Sequence, residues 1–434
     1  MSITGAMFTG AAGLTAHSDA MSIISDNIAN VNTIGFKSSR GNFSDTLGSA
    51  IAGSPGGAGS IIGSVQVNFN QGALLGTGNT TDLAIRGQGF FMVEGTVDGV
   101  RSTYYTRQGQ FQINSDGFVV NAADLRVQGN PIDINGNLLN SVGDLQLQFN
   151  SIPPEATTGI EIVANLDAEQ PVSATSFSAL DPAGTSDFST QILVYDSLGT
   201  QHELELYFRK TQQTPNPEWE YHVMTAGADV GSAAPWVELT DGSGATPTLV
   251  FGTSGELRDV NMQNIDVAWL GADPSNTNVE LDFGSPTNSG GTGVDGITTY
   301  GLSSSVSFSD QDGYASGDLA SFEIEGTGLM AGMFSNGQRR VLGRVALALF
   351  TNSDGLQRRG GGLFAASNDS GSPVVGDPSS GGRGSIAAGN LESSNVDLAR
   401  EFVDLITIQR GFQSNSRTIT TADEMLSEVL SLKR

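Results

Sequence analysis

The stretch "DNIANVNTIGFKSSR", residues 26–40, divides the chain into two kinds of structure. Ile28 and Val31 close an apolar periodicity of helical type. Asn30, Asn32 and Thr33 then weaken the helix, because their side chains compete for backbone hydrogen bonds. Gly35 offers the positive φ common just past a helix end, and Phe36 supplies an apolar anchor before the cations Lys37 and Arg40.

Upstream of this stop, Met7, Leu14, Met21 and Ile28 recur every seven residues, with Ile24 and Val31 in the second seam position. The far end of the chain repeats the pattern: Leu398, Leu405, Phe412, Ile419 and Leu426 recur every seven, with Ile408, Ala422 and Val429 beside them. Such heptads predict helices that pack as in a coiled coil. Their outer faces are short of charge. Residues 1–36 contain only Asp19 and Asp26, and residues 411–422 only Arg417. A solvated helix usually carries Glu and Lys pairs, whereas neutral polar faces suit packing against further helices, where a charge is costly to desolvate.

Between the ends the pattern changes. "DLAIRGQGFFMV" (82–93), "RQGQFQINSDGFVV" (107–120), "STQILVYDSLG" (189–199), "HELELYFRK" (202–210) and "RVALALF" (344–350) read as strands separated by Gly, Asn and Asp turns. Gly- and Ser-rich stretches at 48–64 and 366–389 read as connectors. The expected fold is mainly β and multidomain, with N- and C-terminal α-helices pairing in a coiled-coil manner, a β-rich core domain and an inserted β domain. The expected boundaries are 1–34 and 394–434 for the helical domain, 35–75 and 383–393 for connectors, 76–150 and 301–382 for the β core, and 151–300 for the insert.

Composition narrows the function classes. The 434 residues carry 46 acidic and 20 basic side chains, a formal charge of −26. That excess argues against nucleic acid, which needs clustered cations, and against an anionic membrane surface. Residues 151–300 hold 21 acidic and three basic residues, which predicts a separate, solvent-facing acidic domain. Cysteine is absent, so neither disulfides nor thiolate metal sites are expected. The first 36 residues lack Lys and Arg, and no run approaches the roughly 18 apolar residues of a membrane span. A soluble chain without a cleaved Sec-type leader is expected.

Catalytic, cofactor-binding and metal-ligating constellations are not expected. His17, His202 and His222 are scattered: His17 reads as a helix-contact residue, and the other two as surface strand positions. "GTGVDG" (291–296) and "GTGLMA" (326–331) lack the strand–turn–helix setting that a dinucleotide site requires. "SDQDGY" (309–314) reads as a β-turn rather than a calcium loop. An extracellular adhesin or glycan-binding module would display exposed aromatics, yet Trp219, Trp236 and Trp269 show no common spacing.

The opening stretch closely resembles the N-terminal motif of the bacterial flagellar rod and hook family. "TDLAIRGQGFFMV" (81–93) and "TRQGQFQINSDGFVVNAADLRVQG" (106–129) are similar to that family's shared β domain, and "SSNVDLAREFVDLITIQRGFQSNSRTITTADEMLSEVLSL" (393–432) to its C-terminal helix. "VYDSLGTQHELELYF" (194–208), "FSNGQRRVLGRVALALFTNSDGLQRRGGGLF" (334–364) and "GNLESSNVDL" (389–398) resemble the hook branch, since smaller rod members generally lack a large middle insert. A distal rod protein is the alternative within the family.

The resemblance implies a structural subunit that polymerises with copies of itself into a curved tube, the universal joint between rod and filament. It implies flagellar rod, hook cap and hook–filament junction proteins as partners. It further implies passage through the flagellar type III export apparatus and an extracellular location in the hook and basal body. On this reading Met7, Leu14, Met21, Ile24, Ile28, Val31, Gly35, Phe36, Leu398, Leu405, Ile408, Phe412, Ile419 and Leu426 form the assembly interface. Phe36 would anchor in a neighbouring surface, and Lys37 and Arg40 would reach carboxylates of adjacent subunits.

Overall fold

The computed structural model describes residues 3–47, 57–133, 136–147, 151–273 and 278–431. The chain divides into two compact units: residues 1–149, 320–333 and 339–434 form one, and 150–319 with 334–338 the other.

The first unit begins with α1, Ile3–Ala29, and ends with α2, Leu398–Ser431. Asp397 caps α2, accepting from the backbone N–H groups of Ala399 and Arg400 at 3.0 and 3.3 Å. After α1 comes an antiparallel hairpin of β1, Ser39–Leu47, and β2, Gly57–Val67. Thus part of the first Gly- and Ser-rich stretch is strand, and residues 48–56 lie outside the described residues. The second stretch contains the strands Val374–Gly376 and Ser385–Ala388. Short pairs tie the two ends of the chain together: β3, Leu74–Gly76, with Asn390–Glu392, and β4, Leu83–Arg86, with Ser385–Ala388.

In the β core of this unit, β5, Phe90–Val97, pairs with β6, Val100–Thr106, and with Arg126–Asn130. Phe90, Met92, Tyr105, Ala348, Phe350 and Phe364 are buried together, with Phe69 against them. Their rings meet edge-on, Tyr105 and Phe350 at 4.7 Å and Phe69 and Phe90 at 5.3 Å, the arrangement that ring quadrupoles favour.

The second unit packs two sheets around one core. Gly159–Asn165 lies between Ser305–Gln311 and Asn278–Asp282 in one sheet. In the other, Gln201–Gln212 lies between Phe188–Tyr195 and Glu218–Ala226. Leu204, Leu206 and Phe208 alternate inward along Gln201–Gln212 while Glu203 stays exposed. They join Trp219, Tyr221, Phe251, Leu281 and Phe283 in the core.

Candidate assembly interface

The two helices run antiparallel and meet through small residues. A Cβ on Gly10 would stand 2.9 Å from Ile419 Cγ1, one on Gly13 2.6 Å from Asn415 Nδ2, and one on Gly411 2.7 Å from His17 Cε1. The buried line on α1 is Gly10, Gly13, Ala16, Ala20, Ile24 and Asn27. Of the expected heptad only Ile24 belongs to that line; Met7, Leu14, Met21, Ile28 and Val31 are half-buried beside it. The offset has a physical cause, because α1 must fit both α2 and the β1–β2 hairpin. A Cβ on Gly59 would stand 2.8 Å from Ala12 Cβ, and one on Gly41 3.2 Å from Ile23 Cδ1. On α2, Leu405, Ile408, Ile419 and Leu426 are half-buried and Ala422 is fully buried, whereas Leu398 and Phe412 are exposed.

The turn after α1 is fixed entirely within the chain. Asn27 clamps the start of β1: its Nδ2 donates to Ser39 O at 2.7 Å, and its Oδ1 accepts from Ser39 N at 2.9 Å. Gly35 sits at φ +68, and a Cβ there would stand 2.7 Å from Gln108 N. Phe36 is buried, with the Arg358 guanidinium 4.9 Å above its ring. Asn395, at the other end of the chain, accepts from Ser38 N at 2.8 Å and donates to Asn68 O at 2.8 Å.

Lys37 does not reach outward. Its side chain is fully buried, donating to Glu392 Oε1 at 2.5 Å and to Asn70 O at 2.8 Å. Glu392, equally buried, also takes Gly72 N at 2.8 Å, and its Oε2 pairs with Arg107 Nη1 at 3.2 Å. Burial pushes the Lys37 and Arg107 pKa values down against the opposing pull of the Glu392 carboxylate. Such a pair holds only while every member is present. Nothing in the local sequence marks Lys37 as an interior residue, since its partner stands 355 positions away.

His202 and His222, expected on strand surfaces, are buried. His202 stacks on Trp269 at 4.0 Å with both ring nitrogens 3.2 Å from carboxylates, Asp196 and Asp229. His222 stacks on Phe177 at 3.7 Å and bonds Glu238 at 2.5 Å. Aromatic cover and a carboxylate partner make each position habitable for an imidazole in a strand. Among the described residues no cluster of three or more His, Asp or Glu side chains is arranged to hold a metal ion.

The helix pair leaves apolar side chains outside. Phe8 is 77% exposed and Val403 61%; Phe402, Ile406, Met425 and Val429 are each about half exposed or more. Phe402, Val403 and Ile406 share the side of α2 turned away from the half-buried Leu405 and Ile408. Sequence periodicity concealed this second face because its apolar residues were too few to form a heptad of their own.

Family signatures match the chain in four places: "Flagella basal body rod protein" over residues 7–37, "Flagellar hook protein FlgE/F/G D1 domain" over 84–165, "Flagellar basal body protein FlaE D2 domain" over 165–314, and "Flagellar basal body rod FlgEFG protein C-terminal" over 387–432. The flagellar hook protein FlgE of Borreliella burgdorferi is 34% identical, the match covering 98% of this chain and 99% of that one. That of Salmonella typhimurium is 32% identical, covering 97% and 98%. The crystal structure of the Helicobacter pylori flagellar hook protein FlgE2 shares the fold, with a TM-score of 0.51 at 14% identity over 74% of this chain and all of that one. Terminal helices joined by a buried latch, a β core, and relatives matched over nearly their whole length agree: the chain belongs to the flagellar hook protein family.

Proposed function

We propose that the chain is a structural subunit of the flagellar hook, polymerising through its terminal helices into a curved tube that joins rod and filament. The observation that carries this reading is the exposed apolar face of the helix pair. Phe8, Phe402, Val403 and Ile406 stay in water in the single chain although the seam between the helices is closed. Phe402, Val403 and Ile406 gather within about one turn of α2, and an exposed apolar cluster of this kind is the mark of an association surface, while Phe8 adds a second exposed ring towards the other end of the pair. Together with Leu398 and Phe412 on α2, it supports helix-to-helix packing between copies. The half-buried Met7, Leu14, Met21, Ile28 and Val31 flank the intrachain seam and are available to a neighbour at their outer edges. Gly35 and Phe36 serve the same end indirectly, by holding α1 against its own β core.

Copies of the chain are the principal partner, and the rod, cap and junction proteins of the hook would meet the ends of the tube. The absence of cysteine suits export as an unfolded chain through the flagellar type III apparatus to an extracellular position. The test is electron microscopy of Phe402→Ser/Ile406→Ser beside the unaltered chain under polymerising conditions. Tubes from the unaltered chain and none from the variant, with equal thermal melts, are expected. Equal tubes from both would remove this face from the interface.

A further inference from the structure

Away from the two ends of α2 the helices carry few charges, and those few are matched, while Arg400, Asp404, Asp423, Glu424 and Glu428 lie nearer those ends. α1 has Asp19 and Asp26, seven residues apart; between Leu405 and Ala422, α2 has Arg410 and Arg417, also seven apart. Seven residues of helix rise about 10.5 Å, so each pair has the same span. All four residues are exposed. Among the described residues Asp19, Arg410 and Arg417 make no ion pair, while Asp26, 54% exposed, accepts from Asn30 at 3.0 Å and stands 3.7 Å from Arg358 Nη1.

We propose that a second copy of this chain docks its α2 on this α1, with Arg410 opposite Asp26 and Arg417 opposite Asp19. This rests on the self-assembly reading and specifies its register. Within the chain, Gly13 meets Asn415 and Asn27 meets Glu401, so α1 and α2 run antiparallel. Copies stacked with the same polarity therefore present α2 antiparallel to a neighbour's α1, and both ion pairs form together. Sliding the contact by one heptad leaves one pair and an arginine without its carboxylate, Asp26 keeping only its long contact with Arg358 when it is the acid left over. An unpaired charge in a packed helical layer is costly, so the four residues select one register among many that Ser, Thr and Gln would tolerate. The contact is heterologous, using a different face of each copy, which is what an open helical array requires.

The experiment measures the protein concentration at which full-length chains begin to form tubes. Arg410→Glu/Arg417→Glu and Asp19→Lys/Asp26→Lys should each raise it about tenfold or more, both ion pairs being lost and replaced by like-charge repulsion within the contact. The fourfold variant carrying both exchanges should return to within about threefold of the unaltered chain, since its pairs are restored with signs reversed. Asp19→Asn/Asp26→Asn, which keeps side-chain shape, should raise the threshold about threefold. Thresholds unchanged by either double reversal, or a fourfold variant no better than the doubles while its thermal melt matches the unaltered chain, would overturn the pairing. Tubes from the unaltered chain with no rescue condemn the register alone; no tubes from the unaltered chain overturn the self-assembly reading and the register with it.

Discussion

In the unit formed by residues 150–319 and 334–338, Trp219, Tyr221, Phe208, Phe251 and Phe283 are all wholly buried. In the helix pair, Phe8, Phe402, Val403 and Ile406 stand half or more in water, and the seam that is buried consists largely of Gly and Ala. The β unit buries its large aromatic residues in a core of its own, and its exterior mixes carboxylates with exposed leucines such as Leu180, Leu198, Leu270 and Leu302. The helix pair spends its smallest residues on its own closure and keeps its largest for outside. The two regions thus differ in what closes them: large aromatic side chains in the β unit, Gly and Ala in the helix seam.

The contrast can be broken most directly at the latch that holds the helices to their β core. Glu392→Ala leaves Lys37 and Arg107 buried without their carboxylate and should cost about 3–5 kcal/mol in the unit that contains them. Two-transition thermal melts should show that unit shifted and the 150–319 unit unmoved; a shift in both would mean that the two are not independent, and a shift in neither that the latch carries no stability. Gly13→Val attacks the seam. The added methyls meet Asn415, and overpacking of this kind costs about 1–3 kcal/mol, read as lost helical circular dichroism at a lower temperature with the β signal retained.

Acidity sharpens the comparison more gently, because the units should respond with opposite sign. Burial alone would raise the Asp196 carboxyl, but hydrogen bonds from the Thr200 backbone, His202 and the Leu198 backbone outweigh it and hold the group below its ordinary 3.8. Asp312 behaves likewise under Thr158 and Gly159. A depressed carboxyl gives stability above its unfolded value that is lost as pH falls through the folded one, so the 150–319 unit should weaken below about pH 4. Glu401, at the foot of the helix pair, is raised above 4.5, first by burial, with the Asn27 hydrogen bond opposing. Its contribution is present below that value and lost as pH rises through the folded one, so the helix pair should tighten on mild acidification from neutrality. Hydrogen exchange of α1 that slows between neutral pH and pH 5 would agree; exchange that accelerates, after correction for the intrinsic rate, would not. The smallest effect expected is that of Arg101→Ala, whose exposed pair with Glu94 at 3.1 Å should be worth about 0–1 kcal/mol in urea melts.

Much of this is legible in the sequence. Periodicity marks both helices, the alternation in "HELELYFRK" marks an inward-facing Leu204, Leu206 and Phe208, and the motif at 26–40 names the family. The seam of α1 was not legible, since Gly10 and Gly13 carry no side chain to register in an apolar pattern, while Met7 and Leu14 do. Lys37 reads as a surface cation because burial of a charge is decided by partners, and Glu392, Arg107 and the Gly72 amide come from elsewhere in the chain. His202 and His222 were misplaced for the same reason: Trp269 and Phe177, which cover them, lie on other segments.

The latch also sets a timetable. Lys37 and Glu392 are joined across 355 positions, and closing a loop of that length costs about 5 kcal/mol of chain entropy before the contact can repay it. Local pairs such as β5 with β6, or the sheet around Leu206 and Phe208, need no such closure and can form while the ends still wander. The last step of maturation is then the meeting of the two ends, when the second half of the α1 stop arrives with the residues that precede α2. A chain whose ends are still apart therefore lacks the paired-helix surface on which the proposed self-association depends.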